Sequence, residues 1–345
     1  MLTKNMISRT VTLLITLFAL LACGQRPTTG TDEAPRPQVR IEVSELEIDQ
    51  DIYRRLLEED LRLFDLMQHG KISEAAAFLQ QLPLALRDSY DPEDENRFLN
   101  EIRHPSEIRT VDLRPAYLSL IMHYPECYNC WLAYGYFYFD LGTIARGTRF
   151  RKDTPDEAFA QMRANFLDAQ YAAEQVLELA PNHYLAYSLL SLIRQFDRDS
   201  DIPRDQIELA LAEQPTSSYL WNRRLQQLTP RWSGSYERMQ QAMDRVQPYV
   251  NDNPQLTFTN SAILQDQLSM ALINNNQQEF DRILEEMQLK DIQPYSSTMR
   301  AFHFSRGQLL AACQLAETSA QANIYDRSSI YDYLWCFKAG AYQQQ

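Results

Sequence analysis

Pro181 and Pro215 lie 34 residues apart, and so do Leu177 and Leu211, and Tyr187 and Trp221. Each proline closes a run rich in Ala, Leu and Glu: Ala172 to Ala180 before Pro181, and Ile207 to Gln214 before Pro215. Each is followed at once by a new apolar run, Asn182-His183-Tyr184-Leu185-Ala186-Tyr187 in one case and Thr216-Ser217-Ser218-Tyr219-Leu220-Trp221 in the other. Proline has no N–H and its ring collides with the preceding turn, so it punctuates helices rather than continuing them. A constant period of helix, turn and helix marks a repeat array, in which each unit buries its apolar face only against its neighbours.

Upstream, Pro125 is followed six residues later by Trp131, then by Gly135, Tyr138 and Gly142. That order and spacing resembles the tetratricopeptide consensus, whose period is also 34 residues. From Pro125 to Pro181 is 56 residues, one period plus 22, and the insertion is expected to include Thr143 to Asp156, rich in Arg, Lys, Gly and Thr. Nearer the N-terminus, Ser44-Glu45-Leu46-Glu47 resembles a capping box. Tyr53, Leu56, Leu57, Phe64 and Met67 then recur at helical spacing up to His69-Gly70. Ile72, Ala75, Ala76, Leu79 and Leu82 share a face of a second helix, which Pro83 is expected to kink or end. With 9 glycines in 345 residues a turn-rich β fold is disfavoured. The expected fold is all-α, a tetratricopeptide-like right-handed superhelix of about six antiparallel hairpins over residues 41–345; an irregular helical bundle is the plainer alternative.

The N-terminus carries an address. Lys4 and Arg9 precede an uncharged apolar run from Val11 to Ala22, shorter than the roughly 20 residues a membrane span needs. It has the dimensions of a signal-peptide core. Its end, Leu20-Leu21-Ala22-Cys23, resembles the lipobox of bacterial lipoprotein precursors. The resemblance implies cleavage after residue 22, diacylation of the Cys23 thiol and acylation of the new amino terminus, more than one chain being needed for durable anchoring. Gly24 follows, where an Asp commonly retains a lipoprotein at the inner membrane of Gram-negative bacteria; its absence implies the outer membrane there, facing the periplasm. Residues 24–40 hold three prolines, two glycines and Val39 as their single large apolar residue, so residues 23–40 read as a lipidated flexible tether.

Loss of residues 1–22 removes Lys4 and Arg9 and no acid, taking the net charge from −13 to −15. So acidic a chain repels nucleic acid and favours a partner with a basic region. After Cys23 the cysteines are Cys127, Cys130, Cys313 and Cys336; an even number in an exported chain suggests disulfides. Of the three possible pairings, local spacing favours Cys127–Cys130 with Cys313–Cys336. Cys127-Tyr128-Asn129-Cys130 also has the spacing of a thiol-redox pair, although no βαβ setting surrounds it. His69, His104, His123, His183 and His303 show no metal-ligand spacing, and no nucleophile motif, phosphate-binding glycine loop or cofactor signature occurs.

Three segments resemble a more specific family: Tyr53 to Asp60 with its hairpin, Ile144-Ala145-Arg146-Gly147, and Leu228-Thr229-Pro230-Arg231-Trp232-Ser233-Gly234-Ser235. They are similar to bacterial helical domains of the family called domain of unknown function four-zero-three-four, over roughly residues 52–250, with 251–345 beyond it. An aromatic residue of the first motif is missing here, and Ser233 stands where the second has a glycine. The resemblance implies a helical-repeat fold and no reaction. Arg146 and Arg231 are candidates to grip a carboxylate, with Trp232 as an apolar platform; the structural alternative is that Trp232 wedges between repeats while the arginines cap helix carbonyls.

The function this points to is a non-enzymatic protein- or peptide-binding scaffold lipoprotein of the bacterial envelope, with no cofactor and no metal. The alternatives are an envelope enzyme or redox protein using residues 143–156 or Cys127/Cys130, and a partner that neutralises a secreted toxin. Cys23→Ser is expected to stay unprocessed and to take up no labelled fatty acid in cells, whereas the wild-type chain takes it up.

Overall fold

The computed structural model describes residues 62–88, 95, 98–99, 101–103, 112–147, 151–322 and 336. The signal, the lipobox with Cys23, the tether, the capping box at Ser44 and the start of the first helix at Tyr53 lie outside the described residues. Among the described residues there are thirteen α-helices, a few 3-10 turns and no strand; the fold is all-α. The described residues fall into two units, divided between Thr298 and Met299.

In the first unit, α1 (Arg62–Gln68) turns back through Gly70 into α2 (Ile72–Asp88), burying Leu63, Leu66 and Met67 with Ala75, Ala76 and Leu79. Pro83 does not end α2, which continues to Asp88. Next, α3 (Arg114–His123) packs on α2 and on the long helix that follows. Three successive hairpins come after it: α4 (Tyr128–Arg146) with α5 (Asp156–Leu179), α6 (Tyr184–Phe196) with α7 (Gln206–Glu213), and α8 (Ser218–Leu228) with α9 (Tyr236–Val246). A 3-10 stretch, Pro254–Ser261, leads to a further hairpin, α10 (Ala262–Ile273) with α11 (Gln277–Leu289). α12 (Ser296–Ser305) crosses the boundary between units, and α13 (Leu309–Ala322) belongs to the second. In that second unit Cys313 and Cys336 are bonded and fully buried against Phe304, with Cα atoms 5.5 Å apart.

The 34-residue period has a local physical basis. Each of α4, α6 and α8 begins three residues after its proline, Pro125, Pro181 or Pro215. The Trp131 indole N–H donates to the Pro125 carbonyl at 2.8 Å, and the Trp221 indole N–H to the Pro215 carbonyl at 2.7 Å. An indole brought into a core needs a partner for its N–H, and the proline carbonyl ending the preceding segment is that partner. The helix starts are capped at the same position: the Cys130 N–H donates to Cys127 Sγ, and the Leu220 N–H to Ser217 Oγ at 3.0 Å. At the middle junction Tyr187 occupies the tryptophan position and His183 makes no side-chain cap.

The insertion does not fall at Thr143 to Asp156 as expected. Residues 143–146 are the last turn of α4, which ends at Gly147, and the connections 147–155 and 197–205 have the same length. The extra 22 residues are helix: α4 has 19 residues against 13 in α6, and α5 has 24 against 8 in α7. Longer helices satisfy their own backbone and bury more surface, so the insertion enlarges the core instead of adding an exposed segment. Of the aromatic residues on α4, Tyr134, Tyr136, Phe137 and Phe139 are buried and Tyr138 is half-buried.

Two consensus-like glycines let α4 and α5 approach closely. A Cβ at Gly142 would lie 2.6 Å from two ring carbons of Phe166, and one at Gly135 would lie 2.7 Å from Leu189 Cδ2. Phe166 is itself stacked on Phe139 at 5.3 Å and cannot easily yield. Gly142→Ala is therefore expected to lower the unfolding free energy by about 1–2 kcal/mol in urea titrations. Overpacking outweighs the roughly 1 kcal/mol gained in helix propensity.

Candidate functional site

The face of α4 that carries Tyr136 and Asp140 is met by Arg103, with Glu95, Phe98, Leu99 and Ile102 buried in the same region. Arg103 forms an ion pair with the buried Asp140 at 2.8 Å and lies over the rings of Tyr136 and Phe139. Glu95 accepts from Ser217 Oγ at 2.6 Å and from the Tyr219 N–H, at the start of α8. Phe98, Leu99 and Ile102 fill the core between these polar ends. Burial alone would lower the Arg103 pKa, but Asp140 and the neighbouring tyrosines hold it above the ordinary guanidinium value. Tyr136 completes the tie, its hydroxyl 3.3 Å from that of Tyr219. Tyr136 is thus core here, and sequence reasoning missed the residues that cover it. Their contacts span more than a hundred residues of chain, and no local pattern announces them.

The other face of interest lies at the loop end of the hairpins, where Arg146 and Trp232 are brought together. Arg146, in the last turn of α4, places its guanidinium 5.8 Å from the ring centres of both Phe159 and Phe196. Phe196, at the end of α6, meets Trp232 edge to face at 5.3 Å. Arg231 reaches over the Trp232 ring at 6.0 Å. Phe159, Phe196 and Trp232 are each half-buried, as is Arg146, whereas Arg151, Arg198 and Arg231 are exposed. Burial and the positive charges of Arg231 and Arg151 all push the Arg146 pKa below the ordinary guanidinium value.

The motif around Trp232 is built by its backbone. Pro230 opens a 3-10 turn, Ser233 takes a left-handed conformation at φ +69°, and the Gly234 N–H donates to the Thr229 carbonyl at 3.0 Å. A Cβ on Gly234 would collide with the backbone of Leu228. The glycine of the family motif at position 233 has its explanation in the same φ, which favours glycine. Arg198 donates to the Trp232 carbonyl at 3.3 Å and to Ser233 Oγ at 2.9 Å, holding the turn against the preceding hairpin.

Contacts one period apart recur along this edge. Arg198 and Trp232 are 34 residues apart, and so are Arg163 and Asp197, which pair at 3.2 Å. Arg163 also pairs with Asp199 at 2.7 Å, and Arg151 with Asp199 at 3.7 Å. Burial raises the pKa of Asp266, opposed in part by the Tyr236 hydroxyl, which donates to that carboxylate at 3.0 Å, and by the charge of Arg231. Sequence reading singled out Arg146, Arg231 and Trp232 but missed Phe159, Phe196, Arg151 and Arg198. The one available signal was the 34-residue offset linking Arg198 to Trp232.

Cys127 and Cys130 are bonded, with Cα atoms 5.2 Å apart, and both lie in the hydrophobic core at 5 % and 0 % exposure. Thiol exchange requires in-line access to a sulfur, which that burial denies. Burial also pushes the His183 imidazole down to about 4, so it is neutral where it packs beside Tyr128 and Tyr184. Among the described residues no cluster of three His, Cys, Asp or Glu side chains is placed to hold a metal ion, and no helix is long and apolar enough to cross a membrane.

No family model, no curated protein and no solved structure matches the chain. The family resemblance therefore rests on its three segments alone.

Ser233→Gly is expected to raise the unfolding free energy by about 0.5–1 kcal/mol, because the left-handed strain it removes exceeds one exposed hydrogen bond. Gly234→Ala is expected to lower it by about 3 kcal/mol or more. Paired thermal and urea unfolding of the two variants checks both signs.

Proposed function

We propose that the protein is a lipid-anchored scaffold of the bacterial envelope whose helical-repeat body binds another protein or a peptide segment and catalyses no reaction. Its hairpins are read as a tetratricopeptide-like right-handed superhelix, related to the family whose motifs it resembles. The observation that carries the binding reading is the loop edge, where Arg146, Arg231, Phe196 and Trp232 from three successive hairpins come together. Half-buried aromatic rings beside guanidinium groups are the chemistry of protein-contact anchors. The α4 face with Tyr136 and Asp140 supports this by exclusion, since Arg103 and the buried Phe98, Leu99 and Ile102 already occupy that region.

The signal and the Leu20-Leu21-Ala22-Cys23 lipobox place this surface at a membrane, in the outer membrane facing the periplasm if the source is Gram-negative. A tether over residues 23–40 spans at most about 60 Å when fully extended, which limits partners to those near the membrane surface. The acidic balance of the mature chain favours a partner with a basic region outside the arginine-lined edge, and disfavours nucleic acid.

A photoreactive residue placed at position 231 tests the reading in living cells. One defined protein or peptide adduct is expected, weakened by raised salt, and the same residue at exposed Glu285 on α11 should give none. Equal adduct patterns from the two positions, or no adduct from either, would overturn it. Arg146→Ala and Arg231→Ala distinguish a structural role: a lowered melting temperature with partner capture intact would make the edge a packing device.

A further inference from the structure

We propose that the Arg146–Trp232 edge is a recognition site for a peptide carboxylate that stands next to an aromatic or aliphatic side chain. The inference rests on the protein-binding reading above and names the chemistry of the segment bound.

Four observations lead to it. First, Arg146 has unused hydrogen-bonding capacity. Its Nη1 donates to the adjacent Gly147 carbonyl at 3.0 Å, while its Nε is buried and meets no acceptor. A guanidinium offers five N–H donors in a fixed plane, so an edge remains that a two-oxygen anion can engage.

Second, no carboxylate among the described residues lies within ion-pair distance of Arg146. Its neighbours are better supplied: Arg163 has Asp197 and Asp199, Arg151 has Asp199, and Arg231 acts on Asp266. A chain with 46 acidic residues against 33 basic ones has carboxylates to spare, yet this half-buried cation is set among other cations. Like charges gathered in partial burial favour an incoming anion.

Third, the surroundings select the kind of anion. Phe159, Phe196 and Trp232 offer half-buried ring surface around the guanidinium. Such a wall gives no hydrogen bonds to a fully hydrated inorganic ion, but it can take the apolar group attached to an organic one. Fourth, the overall acidity opposes multiply charged ligands, which favours the single charge of a carboxylate over a phosphate dianion or a nucleic acid. In the arrangement that results, Arg146 holds the carboxylate in its plane, Arg231 adds charge from the rim, and the adjoining side chain lies against the exposed surface of the Phe196–Trp232 pair.

The test titrates the full-length lipoprotein in detergent with N-acetylphenylalanine, N-acetylphenylalaninamide, the side-chain acid N-acetylaspartic acid amide, and inorganic phosphate, by calorimetry. N-acetylphenylalanine is expected to bind saturably with a Kd on the order of 1 mM, the value that a ligand of this size allows. Its amide should bind at least roughly tenfold more weakly, the loss of one charge-assisted contact. Tighter binding of N-acetylphenylalanine than of the aspartate derivative points to a chain-terminal carboxylate, and the reverse order to an acidic side chain; either supports the site. Arg146→Ala should abolish binding, and Arg231→Gln, at an exposed position, should weaken it with an unchanged melting temperature. Equal binding of acid and amide, absence of saturable binding by both acids, or phosphate binding as tightly as N-acetylphenylalanine would overturn the proposal. If these probes fail while position 231 still yields its adduct in cells, the carboxylate site falls and the protein-binding reading stands; if the adduct is also absent, both fall.

Discussion

The hydrogen bond from an indole N–H to the carbonyl of the proline six residues earlier organises the repeats of this protein. Trp131 and Pro125 make it at one junction, and Trp221 and Pro215 at another. It joins the end of one segment to the buried face of the next helix, so the start of each of these two helices is tied to a contact within seven residues. Once α4 and α8 start at matching points, their inner faces present Tyr136 and Tyr219 to each other, and their far ends bring Arg146 and Trp232 toward Phe196. A buried indole N–H without its acceptor would cost about 1–3 kcal/mol, enough to make the junction specific.

The period was legible because its determinants are local. Proline, N-cap residue and tryptophan lie within a few positions of one another, and each acts through backbone chemistry that does not depend on the rest of the fold. The 22 extra residues were legible as a length but not as a structure. Thr143 to Asp156 was the expected place of the insertion, yet the helix carries on to Arg146, with Gly142 leaving room for Phe166 of α5. Residues 95–103 were not legible at all. Glu95 and Arg103 are charged residues in a polar stretch, and their burial follows from acceptors and donors on α8 and α4 that sequence proximity does not reveal.

The candidate site divides in the same way. Arg146, Arg231 and Trp232 were visible as motif residues, and the structure gives part of each motif a packing explanation: Ser233 holds a left-handed turn, and Gly234 passes against Leu228. What remains after that explanation is the charge arrangement. Arg146 lies half-buried between two aromatic rings beside the charges of Arg151 and Arg231, on a chain that is acidic overall. Packing does not require that concentration of positive charge, which makes it the part of the edge most reasonably read as recognition.

Two surfaces of the repeats therefore have opposite standing in this account: the α4 face with Tyr136 and Asp140 is met by Arg103, and the loop edge is open. Hydrogen exchange measured on the lipoprotein alone and on its complex with the partner captured in cells tests this division most directly. The account predicts slowed exchange at residues 146–147, 194–199 and 230–235 on complex formation, with residues 95–103 unchanged. Slowed exchange at Tyr136–Asp140 and Ser217–Tyr219, with residues 95–103 exchanging faster, would show that the partner displaces the internal segment and would contradict it.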